Sequence, residues 1–247
     1  GWNLFGNLAA ITFTQGLNLL LNMFFGPVVN AARGIAVQAQ TAIGQFSNNF
    51  QTALNPQITK SYATGDREYM HSLIFRSAKF SFFLLLFLSL PILIETKAIL
   101  TLWLKIVPDH TVVFLRIMLC TTWVYAISNP LITAASATGK IKLYQSVVGG
   151  LLLLILPISY LCLRLGLPAY SVFIVHLGME ITAQFARLWM LRRMIRLSLR
   201  EYFTKVIWRI SKVTIIALAA PLAVAYWLPG EEIWNLLTIC LICAIST

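Results

Sequence analysis

His176, Glu180 and Gln184 follow one another at four-residue spacing in "HLGMEITAQFARLW", so on a helix they share one face. A carboxylate in so apolar a segment has two readings. It takes part in proton or ion coupling with His176 beside it, or it is a structural acid neutralised by His176 or by a cation such as Arg116. A second set of residues carries milder chemistry. The stretch "NAARGIAVQAQTAIGQFSNNFQTALNPQITK", residues 30–60, has no charge between Arg33 and Lys60 but holds Gln38, Gln40, Gln45, Asn48, Asn49, Gln51 and Asn55. Neutral amides donate and accept hydrogen bonds without the penalty of a buried charge, which suits water and hydroxyl-rich ligands.

At about 100° per residue, Asn3, Asn7, Gln15, Asn18 and Asn22 of the first apolar segment fall within an arc of about 120°. In the second, Ile35, Ala39, Ile43, Phe46, Phe50 and Leu54 form an apolar stripe and the amides fill most of the opposite half. Amides also bond helices to one another in membranes, with Gly6, Ala9, Gly34, Ala42 and Gly44 allowing close approach. At about 0.6 kcal/mol per such bond, gluing does not call for a dozen of them. Lining of a water-filled cavity is therefore the favoured expectation. Two cations join the candidate set. Arg33 begins the second segment, where its charge opposes the helix dipole and suits an anion contact. Arg116, in "VVFLRIMLC", either snorkels to the interface or faces the cavity. The candidate cavity-lining residues are thus Asn7, Gln15, Asn18, Asn22, Arg33, Gln38, Gln45, Asn48, Asn49 and Arg116, and the candidates for ion coupling are Glu180 and His176.

The elements that must position these residues follow from composition. The chain has 247 residues, 59% hydrophobic and 11% charged, with mean hydropathy +0.80, far from the balance of a soluble domain. Eight apolar segments can be drawn, at 2–25, 30–54, 79–94, 111–137, 141–165, 169–194, 206–228 and 232–247. Runs such as "FSFFLLLFLSLPILI" do not alternate as barrel strands would, so the expected fold is all-α: a polytopic membrane helix bundle. Short connections carry Gly26–Pro27, Pro108, Gly139, Gly166–Pro168 and Pro229–Gly230. "TGDREYMHSLIFRSAK" and "RRMIRLSLREYFTKVIWRISK" read as interfacial helices, and residues 96–105 as a short helix at the opposite interface. Pro56, Pro91, Pro130 and Pro157 are expected to break or kink their spans.

The net charge of +11 is not the footprint of nucleic acid, because the cations sit in breaks between apolar runs. Lys60, Arg67, Arg76, Lys79, Lys140, Lys142, Arg187, Arg192, Arg193, Arg196, Arg200, Lys205, Arg209 and Lys212 group on one side; Arg33, Lys97, Lys105 and Arg164 fall on the other. That bias puts the first side in the cytoplasm, with the first helix entering from there. The four cysteines lie in apolar runs, with no zinc-site spacing. No nucleotide loop, hydrolase elbow, metal or cofactor motif appears, so neither an enzyme nor a cofactor is expected. Both ends look cut: the chain starts at Gly1 and the last apolar run is short of a span.

The segments "GWNLFGNLA", "LNMFFGPVVNAARGIAVQ", "FSNNFQTALNPQITKSYATGD", "LPILIETKAILTLWL" and "ATGKIKLYQSVVGG" together resemble the polysaccharide-biosynthesis branch of the MOP (MATE-like) flippase superfamily. The likeness is to Wzx-type O-antigen or exopolysaccharide transporters, Bacteroidales-like ones especially, from residue 1 to about 209. It implies the second six-helix lobe over residues 1–196, followed over 197–247 by an amphipathic linker and two further transmembrane helices. It also implies a missing N-terminal lobe of the same protein, and export of an undecaprenyl-diphosphate-linked oligosaccharide across the bacterial inner membrane by alternating access. The sequence leaves two alternatives open: a MATE-type cation-coupled multidrug exporter, and a scaffold of a glycan-assembly complex that transports nothing.

Overall fold

The computed structural model describes residues 2–227, with side-chain surroundings from residue 8 to residue 219 apart from Ala10. The apolar segment at 232–247 and the side chain of Asn7 lie outside the described residues. The helices are α1 (Trp2–Ala63), α2 (Arg67–Ile94), α3 (Thr96–Leu104), α4 (Thr111–Ala137), α5 (Ile141–Arg164), α6 (Ser171–Met194), α7 (Leu199–Tyr202) and α8 (Trp208–Trp227). One wide π-turn, Phe203–Ile207, joins α7 to α8. No strand occurs among the described residues. Among the described residues, four helical stretches, those beginning at residues 11 (within α1), 67, 111 and 141, are long and apolar enough to cross a membrane. The protein is an all-α, multi-pass membrane bundle. α6 is as long as α5 but stands outside that group, since Glu180, Gln184 and Arg187 interrupt its apolar character.

A straight α1 would measure about 93 Å, three times the hydrocarbon thickness of about 30 Å. It is not straight. Gly26 has φ 81° and ψ −178°, a conformation closed to residues with a Cβ, and Pro27 restarts the helix at a position where its missing N–H costs nothing. The two arms fold back on each other: Arg33 donates to Asn18 Oδ1 and, at 3.4 Å, to the Thr14 carbonyl. On an unbroken helix those nineteen residues would span about 28 Å. Phe13 in the first arm packs on His176, and Gln40 in the second lines the same cavity as that histidine, so the two arms lie side by side.

The second arm runs parallel to α4 and is fastened along its length. Gln40 Nε2 donates to Thr122 Oγ1 (2.7 Å) and the Met118 carbonyl (3.2 Å), Gln51 Nε2 donates to the Ala126 carbonyl (2.7 Å), and Thr133 Oγ1 donates to Asn55 Oδ1 (2.9 Å). α2 runs antiparallel to α4, tied by Trp123 Nε1 to Ser89 Oγ at 2.7 Å. Buried apolar side chains form two clusters. One gathers Ile58, Ile74, Leu131, Leu191 and Tyr202; the other Leu21, Ala36, Leu100, Phe114 and Phe173.

Several boundaries differ from expectation. Residues 67–78 are not a separate interfacial helix but the first turns of α2, capped by Asp66, whose side chain accepts from the Tyr69 amide. The linker after α6 breaks at Ile195–Ser198, where Arg196 has φ 57°, and then runs helically into α8. α3 is the expected short helix. Pro56, Pro91, Pro130 and Pro157 sit inside continuous helices and break none of them.

Candidate functional site

The stripe His176, Glu180, Gln184, Arg187 lies along the inward side of α6, at spacings of four, four and three. Glu180 is buried and its Oε1 accepts from Arg187 Nη1 at 2.7 Å. The same Nη1 reaches Ser128 Oγ at 3.0 Å, and Ser128 Oγ donates to Gln184 Oε1 at 2.6 Å. Gln184 Nε2 donates to the Tyr202 hydroxyl, and Tyr202 in turn to the Ile127 carbonyl, each at 3.3 Å. A buried polar chain therefore runs from Glu180 on α6 to Tyr202 on α7. Tyr202 is fully buried, and burial pushes its hydroxyl pKa up, so it stays a neutral donor.

Glu180 also forms part of the floor of a cleft of about 300 Å³ between the second arm of α1, α4 and α6. Gln40, Thr41, Gly44 and Asn48 form one wall, Thr121, Thr122 and Tyr125 the other, and His176 and Glu180 the floor. A second recess of about 340 Å³ shares Tyr125, His176 and Glu180 and continues toward Thr14, Tyr144, Gln145 and Arg187. The walls offer hydroxyls and amides, and the one acid on the floor is already neutralised by a guanidinium. Such a cleft can hold water or a polyhydroxylated ligand by hydrogen bonds, and gives a cation no net charge to bind.

The amides divide by their angle on the helix. Gln40, Gln51 and Asn55, on one edge of the polar half, dock on α4. Gln38, Gln45, Asn48 and Asn49, on the other edge, are exposed together with Thr41 and Thr52. Gln45 Nε2 bonds only sideways, to Asn49 Oδ1 at 2.9 Å. On the first arm Gln15 and Asn22 are exposed and Asn18 is half-buried between Gln15 and Arg33. Of the ten candidate lining residues, Asn48 borders the cleft, while Gln15, Asn22, Gln38, Gln45 and Asn49 form the exposed amide faces of the hairpin.

The two cations have structural partners. Arg33 is buried and staples the hairpin rather than facing an anion. Arg116 donates to the Leu93 carbonyl (3.1 Å), the Ile94 carbonyl (3.0 Å) and Thr96 Oγ1 (3.0 Å), holding the corner between α2 and α3; it is not among the cleft-lining residues. Glu180 pairs with neither Arg116 nor His176. Its partner Arg187, which charge counting along the sequence groups with the cations of the basic end, lies in the interior. His176 instead packs its ring 4.6 Å from Phe13. Thr41, Thr121, Thr122, Tyr125, Ser128 and Arg187 are site residues that the sequence reading passed over. For Arg187 the signal was present, since the spacing that joins 176, 180 and 184 extends to 187.

No metal-holding group of three His, Cys, Asp or Glu occurs among the described residues. No protein-family model matches the sequence, and no curated protein or solved structure matches it.

Proposed function

We propose that this chain is part of a membrane transporter that carries a lipid-linked oligosaccharide across the bacterial inner membrane, as the flippase resemblance of its segments implies. One observation carries the reading: a membrane-length hairpin arm keeps Gln38, Thr41, Gln45, Asn48, Asn49 and Thr52 exposed on one face, and that face opens into a cleft of hydroxyls and amides. Amides aimed at acyl chains would leave their donors unsatisfied, so the face borders water or another polar surface. Neutral groups there match the many hydroxyls of a sugar headgroup. In this reading the amide face lines the sugar's route and the Glu180–Arg187 pair forms part of the cleft floor.

The test replaces Gln45, Asn48 and Asn49 together with leucine in the complete transporter of the source bacterium. Surface glycan should fall at least tenfold while lipid-linked oligosaccharide accumulates inside and protein level stays normal. Unchanged surface glycan would leave the scaffold reading standing. Loss of ethidium efflux with normal glycan would transfer the assignment to drug export.

A further inference from the structure

A second polar pocket, of about 380 Å³, lies between the first turns of α2 and the helix that starts at α7. α2 supplies Glu68, His71, Arg76 and Lys79 from one face, at spacings of three to five; the other wall supplies Glu201, Lys205 and Arg209 at spacings of four. The four cations outnumber the two acids. Lys205 Nζ holds Glu201 Oε2 at 2.6 Å, whereas Arg76, Lys79 and Arg209 make no ion pair among the described residues. Arg76 and Arg209 both sit close enough to Lys79 to repel its ammonium, so three like charges are held together without a carboxylate between them. His71 is committed elsewhere, its Nε2 lying 3.2 Å from the Ile195 carbonyl. The two walls are fixed by packing: Phe75, on the pocket wall, meets the buried Tyr202 ring edge-on at 5.9 Å.

Depth says what anion the pocket meets. α2 has 28 residues, about 42 Å, against a hydrocarbon layer of about 30 Å. With Ile94 at the far boundary, the layer is crossed by about residue 74. Glu68 and His71 then stand among headgroups, and Arg76 and Lys79 snorkel to that level from the first two turns inside. Basic pockets between spanning helices at this depth suit phosphate groups, with arginine forks matching phosphate oxygens. The π-turn Phe203–Ile207, which carries Lys205, is a departure from regular helix that recurs at functional positions.

We propose that this pocket binds the phosphate of an anionic lipid headgroup, held by Arg76, Lys79 and Arg209 with Lys205 at the rim. The proposal is independent of what the cleft transports.

The full-length chain, purified in a neutral detergent, would be titrated with phosphatidylglycerol, with phosphatidylcholine and with soluble glycerol phosphate, following retained lipid by native mass spectrometry and thermal stability in parallel. Saturable binding of phosphatidylglycerol at least tenfold tighter than phosphatidylcholine is expected, reduced at least tenfold in R76Q/R209Q and kept in R76K/R209K. Glycerol phosphate should bind a hundredfold more weakly than the lipid; equal binding would keep the phosphate site but assign it to a soluble ligand. If the double glutamine variant does not accumulate, Lys205→Glu, changed at a side chain 54% exposed, should still weaken phosphatidylglycerol binding about threefold. Equal affinity for the two lipids, or wild-type binding by R76Q/R209Q or by Lys205→Glu, overturns the proposal.

Discussion

Arg187 and Glu180 form an ion pair at 2.7 Å from two positions seven residues apart on one helix, with side chains only 3% and 5% exposed. Removing one partner strands the other charge in the bundle; removing both does not. Glu180→Gln and Arg187→Gln alone should each cost about 3 kcal/mol, and the double variant clearly less than their sum. Detergent-solubilised thermal unfolding of the three variants measures this. Additive losses would show that the pair is not coupled.

The hairpin turn depends on a glycine for its backbone alone. A Cβ at Gly26 would meet no atom within 4 Å, so only its φ of 81° objects to a side chain. Gly26→Ala should therefore cost about 1–3 kcal/mol without disturbing the neighbouring helices. A cysteine pair placed across the two arms should cross-link less readily in that variant. Unaltered stability and cross-linking would show that the turn tolerates a Cβ.

Gly16 presents the opposite case. A Cβ there would come within 2.5 Å of Leu156 Cδ2 on α5. Alanine is accommodated by a rotation of the leucine end, but Gly16→Val should push the first arm off α5 at about 1–3 kcal/mol. Adding Leu156→Ala should restore part of that loss. If the second change makes matters worse, the two residues do not share the contact.

Gln51 and Gln45 are both glutamines of the same arm, and should behave differently. Gln51→Leu forfeits one bond to the Ala126 carbonyl, about 0.6 kcal/mol, and under the proposed function should leave transport intact. Gln45→Leu breaks only a bond to its neighbour Asn49, so it should leave stability unchanged and, under the proposed function, lower glycan export. Paired measurements of melting temperature and surface glycan separate the two.

Acid should weaken one surface contact. Lys205, hydrogen-bonded to Glu201, holds that carboxyl below its ordinary pKa of 4.5. A lowered folded-state pKa means the contact's contribution is complete above 4.5 and fades as pH falls through the folded value. Carbon-13 NMR of labelled glutamate should show Glu201 titrating below 4.5 in the wild type and shifting up toward 4.5 in Lys205→Met.

Much of the architecture was written in local signals. Gly26–Pro27 marked the hairpin turn, "TKAILTLWLK" marked α3, and the apolar runs at 111–137 and 141–165 match α4 and α5 almost residue for residue. The amide half of the second arm was also visible, but not its division. Gln51 and Gln45 lie about 120° apart on the wheel, and only α4's position decides which of them is covered. Arg187 was misplaced for a similar reason: charge counting sees sequence neighbours such as Arg192 and Arg193, whereas burial depends on how far α6 slides past α4. The start of α2 was obscured because its amphipathic first turns look like an interfacial helix until Met70, Leu73 and Ile74 find their core partners.

The parallel pairing of the hairpin's second arm with α4 also sets a timetable. Gln51 must wait for a carbonyl 75 residues downstream, and Asn55 for a hydroxyl 78 residues downstream. At a ribosomal pace of about 5–20 residues per second, that is roughly 4–15 s during which the amides are inserted but unmatched. Until α4 arrives those amides must find other partners, so biogenesis of this protein should be sensitive to insertase depletion.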